Sequence, residues 1–456
     1  MATSRKHTIR SANCEPESRG IESKQVQRRW LILVALAIVC RGGISQDLPP
    51  GVLLLSRIQA HMKDKFERLP DYTCLETIRR FHRAAGTKGG LKPLDTVRLD
   101  ILYSRHQDLY AFPGERQFQE KAASNLIGSG MIGTGFVTLA LKNVLLGSGS
   151  VLTYRGEEEL DGRKVVRYDF RLSRLQSGYT LSVFGGQGVV GMAGSFLADP
   201  QTLEVVKMED RAEDFPPFLP VEAATTAVEY ARARIGDRDE VLPQSAELYM
   251  RQTSGDEDRD FFDFTHCGSF RSESAIHFGK DAAPAAETRG GSRLPAAPAA
   301  AQQRMPALLA IAVELSTRIT DTDSVGTPIE GRVSADVRHK GSVLVARGSL
   351  LRGRVRRLER PTDVSGHFIV GLEFTEIQVN GTWVRFYADL LKLEKARGID
   401  QVLRRPVSPD GPSSIEPTET ISLPDLPGVA SFFVSGKTLL VPQGLQMVWR
   451  TRGPLN

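Results

Sequence analysis

The 456-residue chain has only four cysteines and three tryptophans. No apolar run approaches the roughly 20 residues that cross a bilayer, which argues against a permanent helical anchor. The common catalytic signatures are missing too. There is no G-x-S-x-G elbow, no H-E-x-x-H, no C-x-x-C and no G-x-x-x-x-G-K-[ST], so elbow hydrolases, zincins, dithiol redox proteins and P-loop NTPases all lack their motif. Carboxylates are plentiful, as in Glu157-Glu158-Glu159 and Asp256-Glu257-Asp258. Such clusters belong to solvated loops, and no spacing singles out an acid/base pair. No catalytic, cofactor-binding or metal-ligating residue is therefore expected, and the chain is not expected to be an enzyme.

One stretch organises what is present. Trp30–Val39 is an apolar core of ten residues, preceded by Arg28-Arg29 and followed by Gly42-Gly43-Ile44-Ser45. Basic flank, short apolar core and small-residue exit are the three parts of a secretory signal peptide. Cleavage after Ser45 and a periplasmic or extracellular location are expected, with no integral membrane segment afterwards. Met1–Lys24 is long for a basic flank, and a true start near Val26 would explain it. Cys40 lacks the small preceding residue of a lipobox, since Val39 stands there.

Removing residues 1–45 changes the charge balance. The leader holds eight of the 59 basic and three of the 54 acidic residues, so 51 of each remain and the formal +5 goes with the leader. A balanced chain has no global attraction for nucleic acid or anionic lipid, and a nucleic-acid partner is not expected. Cys14 and Cys40 leave with the leader, and Cys74 and Cys267 stay. In an oxidising compartment these two are either a disulfide or two unpaired thiols. Bonded, they would close a loop of nearly two hundred residues, nominally stabilising by about 5 kcal/mol in the chain-entropy model. His266 and His277 near Cys267 lack regular ligand spacing, so no metal site is expected there.

Pro49-Pro50-Gly51 opens an expected helix to about Leu69, with Leu54, Ile58, Met62 and Phe66 recurring every four residues. From Asp71 the period becomes two. Val97, Leu99, Ile101 and Tyr103 alternate with charged residues, as do Val166, Tyr168, Phe170 and Leu172, then Thr226–Tyr230 and Ala246–Met250. Pro113-Gly114, Asp161-Gly162, Asp199-Pro200 and Gly236-Asp237 supply turns. Short strands joined this tightly make antiparallel hairpins with one apolar face. Leu126–Leu146 interrupts them, glycine-rich and then apolar at helical spacing, and is expected to lie as a short helix across the sheet's concave face or its mouth.

Lys280–Met305 is Ala/Pro/Gly/Gln-rich without pattern, a linker. Beyond it come further short strands, with Asn380-Gly381 as a two-residue hairpin turn. Arg397–Pro427 is proline-rich and polar and expected to be a disordered excursion. A last hairpin is expected from Phe432–Leu440 and Leu445–Trp449. Two segments match G-x-G-x-x-G, at Gly128–Gly133 and Gly186–Gly191. The second runs from strand to strand and the first follows no buried strand, so neither fits a dinucleotide fingerprint. Arg352, Arg354 and Arg356 fall on one strand face, as on an exposed edge.

Leu69-Pro70-Asp71-Tyr72-Thr73-Cys74, Leu160-Asp161-Gly162-Arg163 with Tyr168, Leu242-Pro243, and His266-Cys267 with Phe270, Arg271 and Glu273-Ser274 resemble a family of secreted proteins from acidobacterial-type genomes. The layout of that half is similar to LolA/LolB-like lipoprotein carriers. The resemblance implies a half-barrel with an N-terminal helix and a helix-bearing lid over an apolar cavity that shields acyl chains. Gly331–Val337, Val343-Leu344-Val345, Arg347-Gly348-Ser349, Leu351-Arg352-Gly353, Leu372-Glu373-Phe374 and Asn380-Gly381 resemble the C-terminal β domain of TrbI-type conjugation and type IV secretion subunits. That resemblance implies a β-barrel and carries no channel function.

The expectation is a mainly β (α+β) protein with residues 1–45 as leader. A curved antiparallel half-barrel follows at 46–280, with N-terminal helix and lid helix, then a linker at 281–305. A small β-barrel or sandwich at 306–456 completes it, with an insertion at 397–427. The expected function is an exported, non-enzymatic cell-envelope protein that binds a lipid or other apolar ligand, with Phe136, Leu139, Tyr168 and Phe170 as lining residues. The alternative is an envelope scaffold that recruits a protein partner through its C-terminal β domain. A hydrolase with an unlisted constellation stands third.

Overall fold

Alternation of β-branched and aromatic residues with charged ones, at period two, governs nearly everything after the first helix. The computed structural model describes residues 48–105, 107–115, 118, 126–127, 139–183, 186–270, 305–360, 366–401 and 428–453. The expected leader, the first G-x-G-x-x-G match and all but the last residue of the expected linker lie outside the described residues.

Helix α1 (Pro50–Arg68) begins with proline at its first position, where a missing N–H costs nothing, and ends with Lys65 and Arg68 near its negative pole. Ile58, Met62 and Phe66 form its buried stripe. Eleven strands follow: β1 (Tyr72–Arg83), β2 (Lys92–Ser104), β3 (Gln107–Ala111), β4 (Val151–Leu160), β5 (Arg163–Leu172), β6 (Tyr179–Val183), β7 (Gly186–Ala198), β8 (Val205–Glu213), β9 (Val221–Ile235), β10 (Arg238–Gln252) and β11 (Glu257–Ser269). Helix α2 (Leu139–Leu146) lies between β3 and β4, and the one-turn α3 (Arg174–Ser177) between β5 and β6.

These strands make one curved antiparallel half-barrel sheet, in the order β3-β2-β1-β11-β10-β9-β8-β7-β5-β4, with β6 paired to β7. The chain lays three strands to one edge, crosses to the other through α2, and meanders back until β11 pairs with β1. Cys74 and Cys267, on those two adjacent strands, are disulfide-bonded. The second glycine motif lies in β7, just after the β6–β7 turn, as hairpin backbone.

The second sheet uses shorter strands: β12 (Ala310–Leu315), β13 (Ile319–Thr320), β14 (Pro328–Val333), β15 (Val337–His339), β16 (Ser342–Val345), β17 (Leu350–Glu359), β18 (His367–Val379), β19 (Thr382–Arg385), β20 (Ala388–Leu393), β21 (Ile399–Gln401), β22 (Ala430–Ser435), β23 (Leu440–Val441) and β24 (Gln446–Thr451). Its order is β20-β24-β12-β14-β17-β18-β22-β21, with β19 beside β18 and two-stranded ribbons β13-β23 and β15-β16. Asn380 and Gly381 take φ 48° and 80°, the left-handed pair that a tight β18–β19 hairpin requires. Trp449 is fully buried, edge-on to Phe374 at 5.5 Å.

Three expectations for this sheet fail. Phe432–Leu440 is not one strand of a final hairpin: β22 ends at Ser435 and pairs with β18 and β21, while β24 pairs with β12 and β20. Long β18 supplies a better partner for the Phe432 strand than the local turn does. The expected excursion at Arg397–Pro427 fails only at its start, where Ile399–Gln401 pairs with β22; residues 402–427 lie outside the described residues. Arg352, Arg354 and Arg356 do not mark an exposed edge, because β17 lies between β14 and β18.

Arg354 and Arg356 join the sheets. Arg354 donates to Glu115 Oε1 at 3.0 Å and to the Pro113 carbonyl at 2.8 Å, and Arg356 donates to the Leu126 carbonyl at 3.0 Å and pairs with Glu373. Both lie over the Phe112 ring, at 5.8 and 5.0 Å. Backbone bonds add to this: Arg98 N–H to Val325 O, Val325 N–H to Thr96 O, and Arg360 N–H to Leu94 O. Gly326 is needed here, since a Cβ at its φ of 99° would meet the Arg98 carbonyl. Both sheets belong to the compact unit Gly51–Asn456.

Candidate functional site

The site is the inner face of the first sheet, on which α1 and α2 lie. Ile58, Met62 and Phe66 of α1 and Leu141, Val144 and Leu145 of α2 share one apolar cluster with the inward side chains of β1 to β11. Polar bonds tie α1 down. Tyr168 Oη donates to the Gly51 carbonyl at 2.7 Å, Gln59 Nε2 to the Leu145 carbonyl at 2.8 Å, and Lys65 Nζ to Glu240 at 3.2 Å. At the β4 edge the cover thins. Val52 and Leu53 of the first helical turn stand exposed, as do Val151 and Tyr154 of β4. A side chain on Gly51 would strike the Tyr154 ring, so helix start and edge strand meet at this apolar rim.

Of the expected lining residues, Tyr168 and Phe170 lie on this face and are buried. Tyr168 stacks on Phe196 at 5.3 Å and tilts against Tyr154 at 5.3 Å. Burial, and then the neighbouring Tyr154, push its phenol up to about 12. Leu139 is the first residue of α2. Phe136 lies outside the described residues.

Sequence inspection missed the polar groups on the same face. Along β1 the inward residues are Tyr72, Cys74, Glu76, Ile78 and Arg80, all buried. Glu76 is 1 % exposed, opposite Leu99 on β2 and Phe264 on β11, and its Oε2 meets no hydrogen-bond partner. Burial, and secondly the charge of Asp108, raise its carboxyl to about 8. Asp108 on β3 is raised by burial to about 6. The Tyr72 hydroxyl, also unpartnered, is raised by burial and then by Asp108. Tyr72 stacks on Tyr103, which sits opposite Asp108. The alternation starting at Tyr72 was the available signal, since it forces two ionisable residues inward.

Further along β1, Arg80 donates to Asp95 through Nε at 2.6 Å and Nη2 at 2.5 Å, with both side chains 1 % exposed. Asp260 on β11 lies within its electrostatic reach. From the second sheet, Arg357 bonds Glu359 at 2.7 and 3.0 Å, and both act on Asp95. This buried charge network belongs to the junction of the sheets.

No family model matches the chain, and no curated protein matches it. Three solved structures are similar over about half of it. A domain described as outer membrane lipoprotein-sorting, from Vibrio parahaemolyticus, shares 12 % identity at a TM-score of 0.24, covering 49 % of this chain and 93 % of its own. A LolA superfamily protein from Nitrosomonas europaea shares 12 % at 0.23, covering 49 % and 97 %. A DUF1329 family protein from Desulfovibrio piger shares 10 % at 0.25, covering 50 % and 95 %. None of the three is described as a conjugation or secretion protein.

On the opposite face of the sheet a shallow polar groove of about 370 Å³ runs over β5, β7, β8 and β9. Ala193, Ser195 and Ala227 floor it, and Arg167, Asp169 and Glu209 wall it. Its walls are ion-paired: Arg167 with Asp169 at 3.0 Å and Lys207 with Glu209 at 2.7 Å. Among the described residues, no group of three or more His, Cys, Asp or Glu could hold a metal ion, and no helix is long and apolar enough to cross a membrane.

Proposed function

We propose that this is an exported, non-enzymatic cell-envelope protein that holds a lipid or other apolar ligand between α1, α2 and the inner face of its first sheet. The observation that carries this is the cover itself. A large curved apolar face is covered by two helices, and at the β4 edge it meets an exposed apolar rim of Val52, Leu53 and Tyr154. Exposed apolar surface of this kind marks interaction with apolar partners. The Cys74–Cys267 bond fits an oxidising compartment. The ligand enters at this rim and slides between α1 and the sheet, with Tyr168 and Phe170 on the wall it meets first.

Native mass spectrometry of the full chain, purified without detergent from an oxidising periplasm, tests this. Extra mass that leaves on denaturation as a lipid supports the carrier role. A bare chain that also fails to take up added phospholipid refutes it. The alternative is a scaffold acting through the second sheet, favoured by Tyr387 and Leu391, which stand exposed at the β20 edge. In the same experiment its signature is a co-purifying protein in place of a lipid.

A further inference from the structure

We infer that Glu76 is a buried hydrogen-bond donor that anchors an acyl ligand by a neutral carbonyl, an ester or amide, and that the surrounding field turns away a free carboxylate. The inference rests on the apolar-ligand function proposed above.

An unpartnered carboxyl in an apolar interior destabilises the fold, and a leucine there would fill the same space between Leu99 and Phe264 without that cost. Glu76 nevertheless faces inward, with Oε2 unsatisfied. In that setting the carboxyl keeps its proton at neutral pH, and a protonated carboxyl donates one hydrogen bond. Tyr72, on the same face of β1, offers a second unpartnered donor.

The sign of the field decides the headgroup. Asp108 lies within electrostatic reach of both Glu76 and Tyr72, and its own carboxyl is ionised at pH 7. The cations nearby are engaged, Lys65 with Glu240 and Arg80 with Asp95. Tyr103 on β2 sits opposite Asp108, and His61 on α1 has a buried Nε2 without a partner. The inward residues of β11 facing Glu76 are Phe262 and Phe264, which carry no charge. Asp108 is the charge that acts on Glu76, and a carboxylate entering here meets it. A neutral carbonyl meets donors.

The test titrates the full chain with two probes, a diacylglycerol bearing one pyrene-labelled chain and pyrenedecanoate. Wild type should bind the neutral diester at least tenfold more tightly than the carboxylate at pH 7. Glu76→Gln keeps a donor and should stay within about threefold, whereas Glu76→Leu should lose tenfold or more while melting no lower than wild type. Wild-type affinity for the diester should fall between pH 8 and 9, and that of Glu76→Gln should not. Equal binding by wild type and Glu76→Leu, or tighter binding of the carboxylate, overturns the anchor and leaves the carrier function standing. Failure of wild type to bind either probe overturns both.

Discussion

Replacing Glu76 by glutamine should change the pH dependence of stability in a way calculable from the structure. Below pH 4.5 the folded and unfolded carboxyls are both protonated, and Glu76 contributes no pH dependence. As pH rises past 4.5 the unfolded state ionises, while the folded state holds its proton until about 8. The unfolded state then binds fewer protons, so stability falls by about 1.4 kcal/mol per pH unit across this window. At pH 7 the deficit from this group is about 3 kcal/mol, and it levels off near 5 kcal/mol above pH 8. Glutamine does not titrate. A buried amide has its own cost, but that cost is independent of pH, so the slope is the quantity to measure. Urea denaturation of both proteins at half-unit steps from pH 4.5 to 8.5, followed by tryptophan fluorescence and circular dichroism, gives the difference in unfolding free energy. That difference should grow in favour of Glu76→Gln by about 1.4 kcal/mol per unit and flatten above pH 8. Asp108 and Asp210, raised to about 6 and about 7, titrate in both proteins and largely cancel. Two parallel curves would show that Glu76 is hydrated or ionised in the folded protein, and the argument from burial would fail.

Two further outcomes concern the framework. Arg80→Met strands Asp95 and Asp260 at the junction of the sheets and should cost about 3–5 kcal/mol at pH 7, the range for breaking a buried ion pair from one side. The loss should shrink as pH falls and the stranded carboxyls take up protons; a loss under 1 kcal/mol by denaturant titration would mean the network is solvated. Replacing Cys74 and Cys267 together by alanine should cost about 3–5 kcal/mol, since the bond closes a separation of 193 residues. Reduction of wild type should lower its denaturation midpoint equally, and an unchanged midpoint would refute the bond's stabilising role.

Much of the architecture is visible in local pattern. The four-residue spacing of Ile58, Met62 and Phe66 marks α1, and period-two alternation marks β2, β5, β9 and β10 with their inward faces. Glycine-bearing turns mark the hairpins, because a left-handed backbone restricts residue choice at those positions. Tyr168 and Phe170 are placed on the correct face for the same reason. Pairing between distant strands has no such local signal, and there expectation failed. β22 lies against β18, β24 against β12 and β20, and β17 is central.

The arginines of β17 show the boundary most clearly. In sequence they alternate as an exposed face would, and only the meeting of the two sheets buries Arg354 and Arg356 over Phe112. Glu76 is the same case on β1. Its inward direction follows from the alternation that begins at Tyr72, but its burial depends on Leu99 and Phe264 arriving from elsewhere in the chain. Sequence by itself determined the mainly β class, the first helix, the hairpins and the two cysteines available to pair, because each depends on residues within a few positions of one another. Tertiary structure alone decided which charges are buried and which find partners, because desolvation is set by whatever packs above a side chain, and that comes from far away in the chain.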